Sequence, residues 1–239
     1  VRLLMESGIR ADVLVARTEY RLPKDVKEKL ALFCNVKKGN VIECKDAGSI
    51  YEVPLMLHEQ KFDEVVLKTL DLPFDKEPDL NNWNNFVDKF QNPSHQLEIA
   101  LVGKYVSLQD SYKSITEALV HAGASTDTGI KIRWVYSGEV TAQTVDSLLG
   151  GVDGILIAPG FGDRGVLGKI ISANYARRKK IPTFGICLGM QVMVIEFARN
   201  VLGLKDADTT EIHGQTTHPV INLMEGQKNI TSKGGTMRL

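Results

Sequence analysis

The chain lacks a net charge, a disulfide framework and a membrane-length apolar run. Lys plus Arg and Asp plus Glu number 29 each in 239 residues, so the formal charge is zero. That balance removes the electrostatic case for nucleic acid or an anionic membrane surface as a partner. No apolar stretch approaches the roughly 18–20 residues of a membrane helix, and no charged segment followed by an apolar one marks a signal peptide. The three cysteines, Cys34, Cys44 and Cys187, are odd in number and far apart. They fit neither a disulfide network nor a CxxC metal site, and small buried thiols in a reduced, cytoplasmic protein are the simplest reading. No GxxxxGK[ST] phosphate loop occurs.

What is present alternates between strand and helix. Residues 11–16 read as a buried strand. Pro23 opens a helix over 24–33 with Val26, Leu30 and Phe33 on one face, residues 41–44 read as a second strand, and 54–70 as one or two helices. Residues 73–96 are poor in core formers, with Phe86 and Phe90 marking a short helix inside a linker, and Asn92-Pro93-Ser94 breaking it. From Leu97 onward, strands at 97–102, 130–135, 152–157 and 181–186 alternate with helices at 111–122, 165–179 and 188–202. This is the pattern of a doubly wound, mostly parallel α/β sheet, in which ligands gather outside the carboxyl ends of the strands. Both Gly160 and Cys187 fall at that edge.

Two constellations there carry chemistry. Gly185-Ile-Cys-Leu-Gly189 stands between a buried strand and an apolar helix, the arrangement of a nucleophile elbow with Cys in place of Ser. The helix amino end favours a thiolate, and its free N–H groups suit an oxyanion. A core cysteine in a tight turn is the alternative. In Ala158-Pro-Gly160-Phe-Gly162-Asp-Arg-Gly165 the glycines match GxGxxG, but no acidic residue follows at the ribose-binding distance before Glu196. A dinucleotide site is thereby disfavoured. A backbone cradle for an anion, or an ordinary strand-to-helix connection, remains.

The elbow, that loop, Gly234-Gly-Thr-Met-Arg-Leu239, Ile99-Ala-Leu-Val-Gly-Lys-Tyr105, Asp110-Ser-Tyr-Lys-Ser114, Leu30-Ala-Leu-Phe-Cys-Asn-Val36 and Lys45-Asp-Ala-Gly-Ser-Ile-Tyr51 together resemble the CTP synthase family. The resemblance implies that 1–72 is the end of a P-loop-type α/β synthetase (amidoligase) domain, 73–96 a linker, and 97–239 a flavodoxin-like class I glutaminase domain. It implies Cys187 as the nucleophile toward the glutamine amide, with Gly160 and Leu188 as backbone oxyanion donors. Gly160, Leu188, Gly189, Met190, Gln191 and Glu211 would hold the glutamine. Phe161, Arg164 and Arg238 would belong to a neighbourhood through which GTP activates. Lys29 would contact UTP or CTP, and Lys45, Asp46 and Ala47 would lie near the ATP adenine. Implied as well are Mg²⁺ with ATP, a homotetramer and a cytoplasmic setting. Here the loop reads Ala-Pro-Gly-Phe where Pro-Gly-Gly-Phe is commoner, but Gly160 is retained.

The family's base and its orienting carboxylate lie in a His-Pro-Glu motif beyond the Gly-Gly-Thr-Met-Arg-Leu segment, and its phosphate loop and Mg²⁺ ligands lie earlier. The 239 residues are thus expected to be an internal piece, inactive alone. None of the histidines present is expected to serve as the base: His58 and His95 precede the glutaminase sheet, His121 follows a helix ending at its wrong side, and His213 and His218 read as packing or surface residues, with Val220 where an orienting Glu would follow His218-Pro219. Two other classes stay open: another Cys-elbow hydrolase, such as a γ-glutamyl hydrolase or peptidase, and a non-catalytic binding or filament-forming module.

Overall fold

The computed structural model of the chain describes residues 1–222. They belong to two compact units, one of Val1–Gln91 and one running from Asn92.

The first unit comprises α1 (Arg2–Glu6), β1 (Leu14–Thr18), α2 (Lys24–Phe33), β2 (Val41–Lys45), α3 (Val53–Glu59), α4 (Phe62–Thr69) and α5 (Asn81–Gln91). β1 and β2 pair in parallel, Leu14 opposite Val41, with α2 as the crossover that a parallel pair requires. β2 is the buried member; β1 alternates between half-buried and exposed residues, where a buried strand was expected. Leu14, Ala16 and Thr18 are half-buried while Val15 and Arg17 are exposed, so one face of β1 is partly covered and the other is open. On α2 the buried residue is Ala31, while Phe33 is 80% exposed, so its inward face is rotated from the expected Val26/Leu30/Phe33 stripe. Gln60 extends β2: its Nε2 donates to Glu43 O at 2.7 Å and its Oε1 accepts from Glu43 N at 2.9 Å. α5 joins this unit through rings. Phe86 and Phe90 meet Tyr51 edge-on at 5.0 and 5.6 Å, and Trp83 Nε1 donates to Tyr51 O at 2.8 Å.

The second unit runs β3 (His95–Gly103), α6 (Lys113–Ser125), β4 (Thr128–Tyr136), α7 (Val145–Leu149), β5 (Gly154–Ile157), α8 (Val166–Lys179), β6 (Thr183–Gly185), α9 (Leu188–Asn200), β7 (Asp208–Thr209) and β8 (Pro219–Ile221). Strands β4-β3-β5-β6 form one fully parallel sheet in that order. The period-two alternation along β3 divides the core. Ala100 and Val102 face a cluster with Ile155, Ile157, Ile170, Val192 and Ile195, supplied by β5, α8 and α9. Leu101 faces the opposite layer with Tyr112, Ile115 and Leu156. Helices therefore cover both faces, as the doubly wound pattern required. The chain leaves β3 toward β4, then returns to place β5 on the other side of β3. That reversal opens a crevice beyond Gly103 and Ile157, where such sheets bind ligands.

Candidate active site

The elbow is built by close approach of backbone to backbone. Gly185 ends β6 opposite Ile157 of β5, and Ile186 donates its N–H to Ile157 O at 3.0 Å. A Cβ on Gly185 would lie 2.5 Å from Met190 N, and one on Gly189 only 2.0 Å from Ile157 O. No side chain fits at either position, so the first turn of α9 lies directly against β5. Between these glycines Cys187 is the N-cap of α9, with φ 54° and ψ −114°, and it is exposed. A non-glycine residue in that region stores about 1–3 kcal/mol of strain and persists only where its surroundings enforce it. The enforced turn presents the thiol to solvent at the positive end of a 13-residue helix. A buried core cysteine, the bland alternative for Cys187, is thus not what folds; Cys44 is the buried one and Cys34 is half-buried.

The second wall is the loop after β5. Ala158 is anchored by its N–H to Val102 O at 2.9 Å, and Gly160 then adopts φ 153°. A Cβ there would sit 3.1 Å from Lys104 Cε and 3.7 Å from Lys169 Nζ. Lys104 Nζ donates to Phe161 O, and Lys169 Nζ donates to Ala158 O at 2.7 Å and Pro159 O at 3.3 Å. Lys169 is fully buried. Burial, then repulsion from Lys104, pushes its ammonium down to about 8, against an opposing pull from Cys187. Phe161 is exposed, and the Arg164 guanidinium lies 5.7 Å from the centre of the Tyr105 ring, a cation–π distance. Gly165 is the N-cap of α8, at φ 80°.

The other expected site residues fall as follows. Leu188 and Gly189 are buried in the first turn of α9; Met190 is exposed and Gln191 half-buried, its N–H donating to Cys187 O at 3.1 Å. The Gly189 N–H is taken by Ile186 O at 2.8 Å. Glu211 occupies an exposed turn after β7, its N–H directed to Thr209 Oγ1 at 3.2 Å. Arg238 lies outside the described residues. In the first unit, Lys29 is exposed and 3.6 Å from Asp25. Lys45, Asp46 and Ala47 line a cavity of about 470 Å³ together with Glu59 and Asn84, and Asp46 pairs with Arg17 at 2.6 Å.

Two features escaped the sequence reading. His213 and His218 each find a carboxylate, Asp208 at 2.9 Å and Asp206 at 2.6 Å, so both are carboxylate-paired rather than simply solvated. Bonds from Thr217 and His218 hold Asp206 well below the ordinary carboxylate range. The other is Lys169. Its signal was available, since 166, 169, 170, 173 and 176 share one helical face whose remaining members are Val, Ile, Ala and Ala. A lysine on that stripe is a buried charge.

Two family descriptions match the chain: glutamine amidotransferase class-I over residues 107–234, and CTP synthase N-terminus over residues 1–72. The CTP synthase of Flavobacterium psychrophilum is 58% identical over all 239 residues, which span 44% of that relative. The CTP synthase of Methanocaldococcus jannaschii is 51% identical over 245 residues, 45% of its length. The chain thus spans less than half the length of these relatives. Among solved structures, the glutaminase domain of Trypanosoma brucei CTPS with bound acivicin is similar, with TM-score 0.53 and 40% identity, covering 56% of this chain and 52% of that one.

Proposed function

The chain belongs to the class-I glutamine amidotransferase family, and on that premise we propose that it is the glutamine-hydrolysing part of a CTP synthase together with the end of its synthetase domain. The observation that carries the reading is Cys187, exposed and strained on a glycine-bounded elbow at the head of α9, beside the Gly160 loop. In the proposed reaction its sulfur attacks the side-chain amide carbon of glutamine. The carbonyl oxygen becomes an oxyanion held by the N–H groups of Gly160 and Leu188. Collapse breaks the C–N bond, and the nitrogen leaves as ammonia with the thiol's proton, delivered through a general base. Water then cleaves the γ-glutamyl thioester to glutamate and restores the thiol. Gln191 and Glu211 are proposed for the amino-acid end of the substrate, where the Glu211 carboxylate suits an α-ammonium group.

The base, a histidine with its carboxylate, is proposed to come from the portion of the relatives that this chain does not span. Ammonia would then displace a phosphate formed from ATP on the uracil oxygen of UTP, giving CTP. Lys29 is proposed near UTP or CTP, and Lys45, Asp46 and Ala47 near the adenine of ATP, beside the cavity they line. Phe161 and Arg164 are proposed to respond to GTP. Mg²⁺ would screen the triphosphates' charge. Its ligands are proposed to lie in the part of the relatives that this chain does not span. A cytoplasmic homotetramer is proposed for the whole enzyme.

The test is mass spectrometry of the polypeptide extended to the full length of its relatives and quenched during glutamine turnover. A γ-glutamyl adduct on Cys187, with ammonia release abolished by Cys187→Ala, is expected. Peptide cleavage without ammonia release from glutamine would instead identify a peptidase.

A further inference from the structure

The carbonyl oxygens of the loop after β5 are held by two ammonium groups from different elements. Lys104, just past β3, takes Phe161 O; Lys169, from the middle of α8, takes Ala158 O at 2.7 Å and Pro159 O at 3.3 Å. Lys169 reaches them from inside the core. It shares its helical face with Val166, Ile170, Ala173 and Ala176, all buried, and is itself fully covered. A methionine would fill that volume without burying a charge, and buried charges cost free energy that an apolar replacement avoids.

The bonds Lys169 makes show what the charge does. In a trans peptide the C=O and the following N–H point in opposite directions. Holding Pro159 O toward Lys169 therefore sends the Gly160 N–H the other way, away from the core. Proline has no N–H of its own, so Gly160 carries the donor oriented by this anchor. The need for an anchor is local: Gly160, at φ 153°, has no side chain to restrict rotation of the peptide that precedes it.

We propose that Lys169 is the positioning residue of the oxyanion hole, its ammonium pinning the Pro159–Gly160 peptide so that the Gly160 N–H stays directed at the oxyanion formed by attack of Cys187. This rests on the glutaminase reading and deepens it by naming the group that preorganises the donor. Among the described residues the titratable groups acting on Lys169 are Lys104, beyond β3, and Cys187, at the head of α9. With the ammonium pushed down to about 8, the charge-assisted pin is complete below that pH and weakens as pH rises through it.

The experiment is steady-state ammonia release from glutamine, from about pH 6.5 to about 9.5, by the polypeptide extended to the full length of its relatives. Wild type, Lys169→Met, Lys169→Arg and Cys187→Ala are compared. In wild type kcat/KM, which reports the free enzyme, should decline above a midpoint near 8. Lys169→Met should lower kcat about 10- to 100-fold at neutral pH, since loss of one preorganised donor costs up to ~10²–10³, while KM for glutamine moves less than about 3-fold. The Met variant should also lack the limb near 8. Lys169→Arg, whose charge persists to high pH, should recover most of kcat and move the limb upward. A Met variant within about 3-fold of wild-type kcat, a wild-type profile without the alkaline limb, or Arg and Met variants that behave alike would each overturn the proposal. Should the Met variant fail to fold, the wild-type profile and the Arg variant decide. Turnover abolished by Cys187→Ala yet indifferent to Lys169 refutes this inference alone. Absence of Cys187-dependent glutamine hydrolysis in wild type refutes the functional reading, and this inference falls with it.

Discussion

Gly189→Ala is the smallest perturbation that tests whether the elbow positions the thiol. The added carbon would lie 2.0 Å from Ile157 O and 2.9 Å from Ile157 C, both backbone atoms of a central strand. β5 is buried along its whole length and bonded on both sides, so it cannot yield. The first turn of α9 has to retreat instead, by more than an ångström, to reach ordinary van der Waals separation. Overpacking of this kind costs about 1–3 kcal/mol. The larger effect falls on geometry, because Cys187 is the N-cap of the displaced turn while the Gly160 loop stays tied to β5. A misplacement of about 1 Å costs on the order of 10²-fold in rate. The assay is ammonia release from glutamine by the polypeptide extended to the full length of its relatives and the rate of alkylation of Cys187 by iodoacetamide, with urea unfolding alongside. The control is Gly214→Ala, where a Cβ meets nothing within 4 Å. A Gly189→Ala protein within about 3-fold of wild type in both rates would refute the claim that backbone contact at Ile157 sets the position of the nucleophile.

Two further perturbations probe how the second unit is held. Glu196 on α9 is buried, and although burial raises its pKa, bonds from Arg177 and Asn174 outweigh this and leave it below the ordinary value. Arg177→Met should therefore cost roughly 2–3 kcal/mol in urea unfolding near neutral pH, less than the ~3–5 of a fully buried pair, because Arg177 is partly exposed and Asn174 still donates. Since the folded carboxyl titrates below its unfolded value, the wild-type advantage should be present above about pH 4.5 and shrink as pH falls; an advantage that grows on acidification would contradict it. Gly165→Ala puts a Cβ 2.2 Å from Ser137 Oγ at a φ of 80°, and should cost about 1–3 kcal/mol. Ser137 Oγ is buried and finds no hydrogen-bond partner among the described residues. Adding Ser137→Ala should thus recover part of the loss, as measured by the thermal midpoint, and no recovery would mean that φ strain alone accounts for it.

The elements of the parallel sheet were legible because each strand is a short apolar run between turn residues, and each helix carries its own period. Cys187 and Gly160 were legible for a related reason: Gly185 and Gly189 are demanded by backbone approach and Gly160 by its φ of 153°, and both needs show as residue type. β7 and β8, of two and three residues, carry no period to read. On α2, propensity marked the helix, but which face turns inward is set by tertiary packing, so Phe33 was misplaced. The pairing of His213 with Asp208 is a contact between side chains five residues apart that no regular period relates.

Lys169 shows the more general reason a site exceeds its motif. The elbow and the glycine loop supply the groups that would touch glutamine, but neither fixes the orientation of the Gly160 peptide. That orientation depends on a side chain from the next helix, reaching back under the loop from a core position. In a doubly wound sheet the helix after a strand packs on the sheet beside that strand, so its inward face lies beneath the loop at the strand's carboxyl end. A polar residue on that face is placed where it can act on the loop without competing with substrate. A charge at this position defies the apolar stripe of α8, and departures of that kind concentrate at functional sites. The stripe of α8 is therefore as informative about the active site as the motif that precedes it.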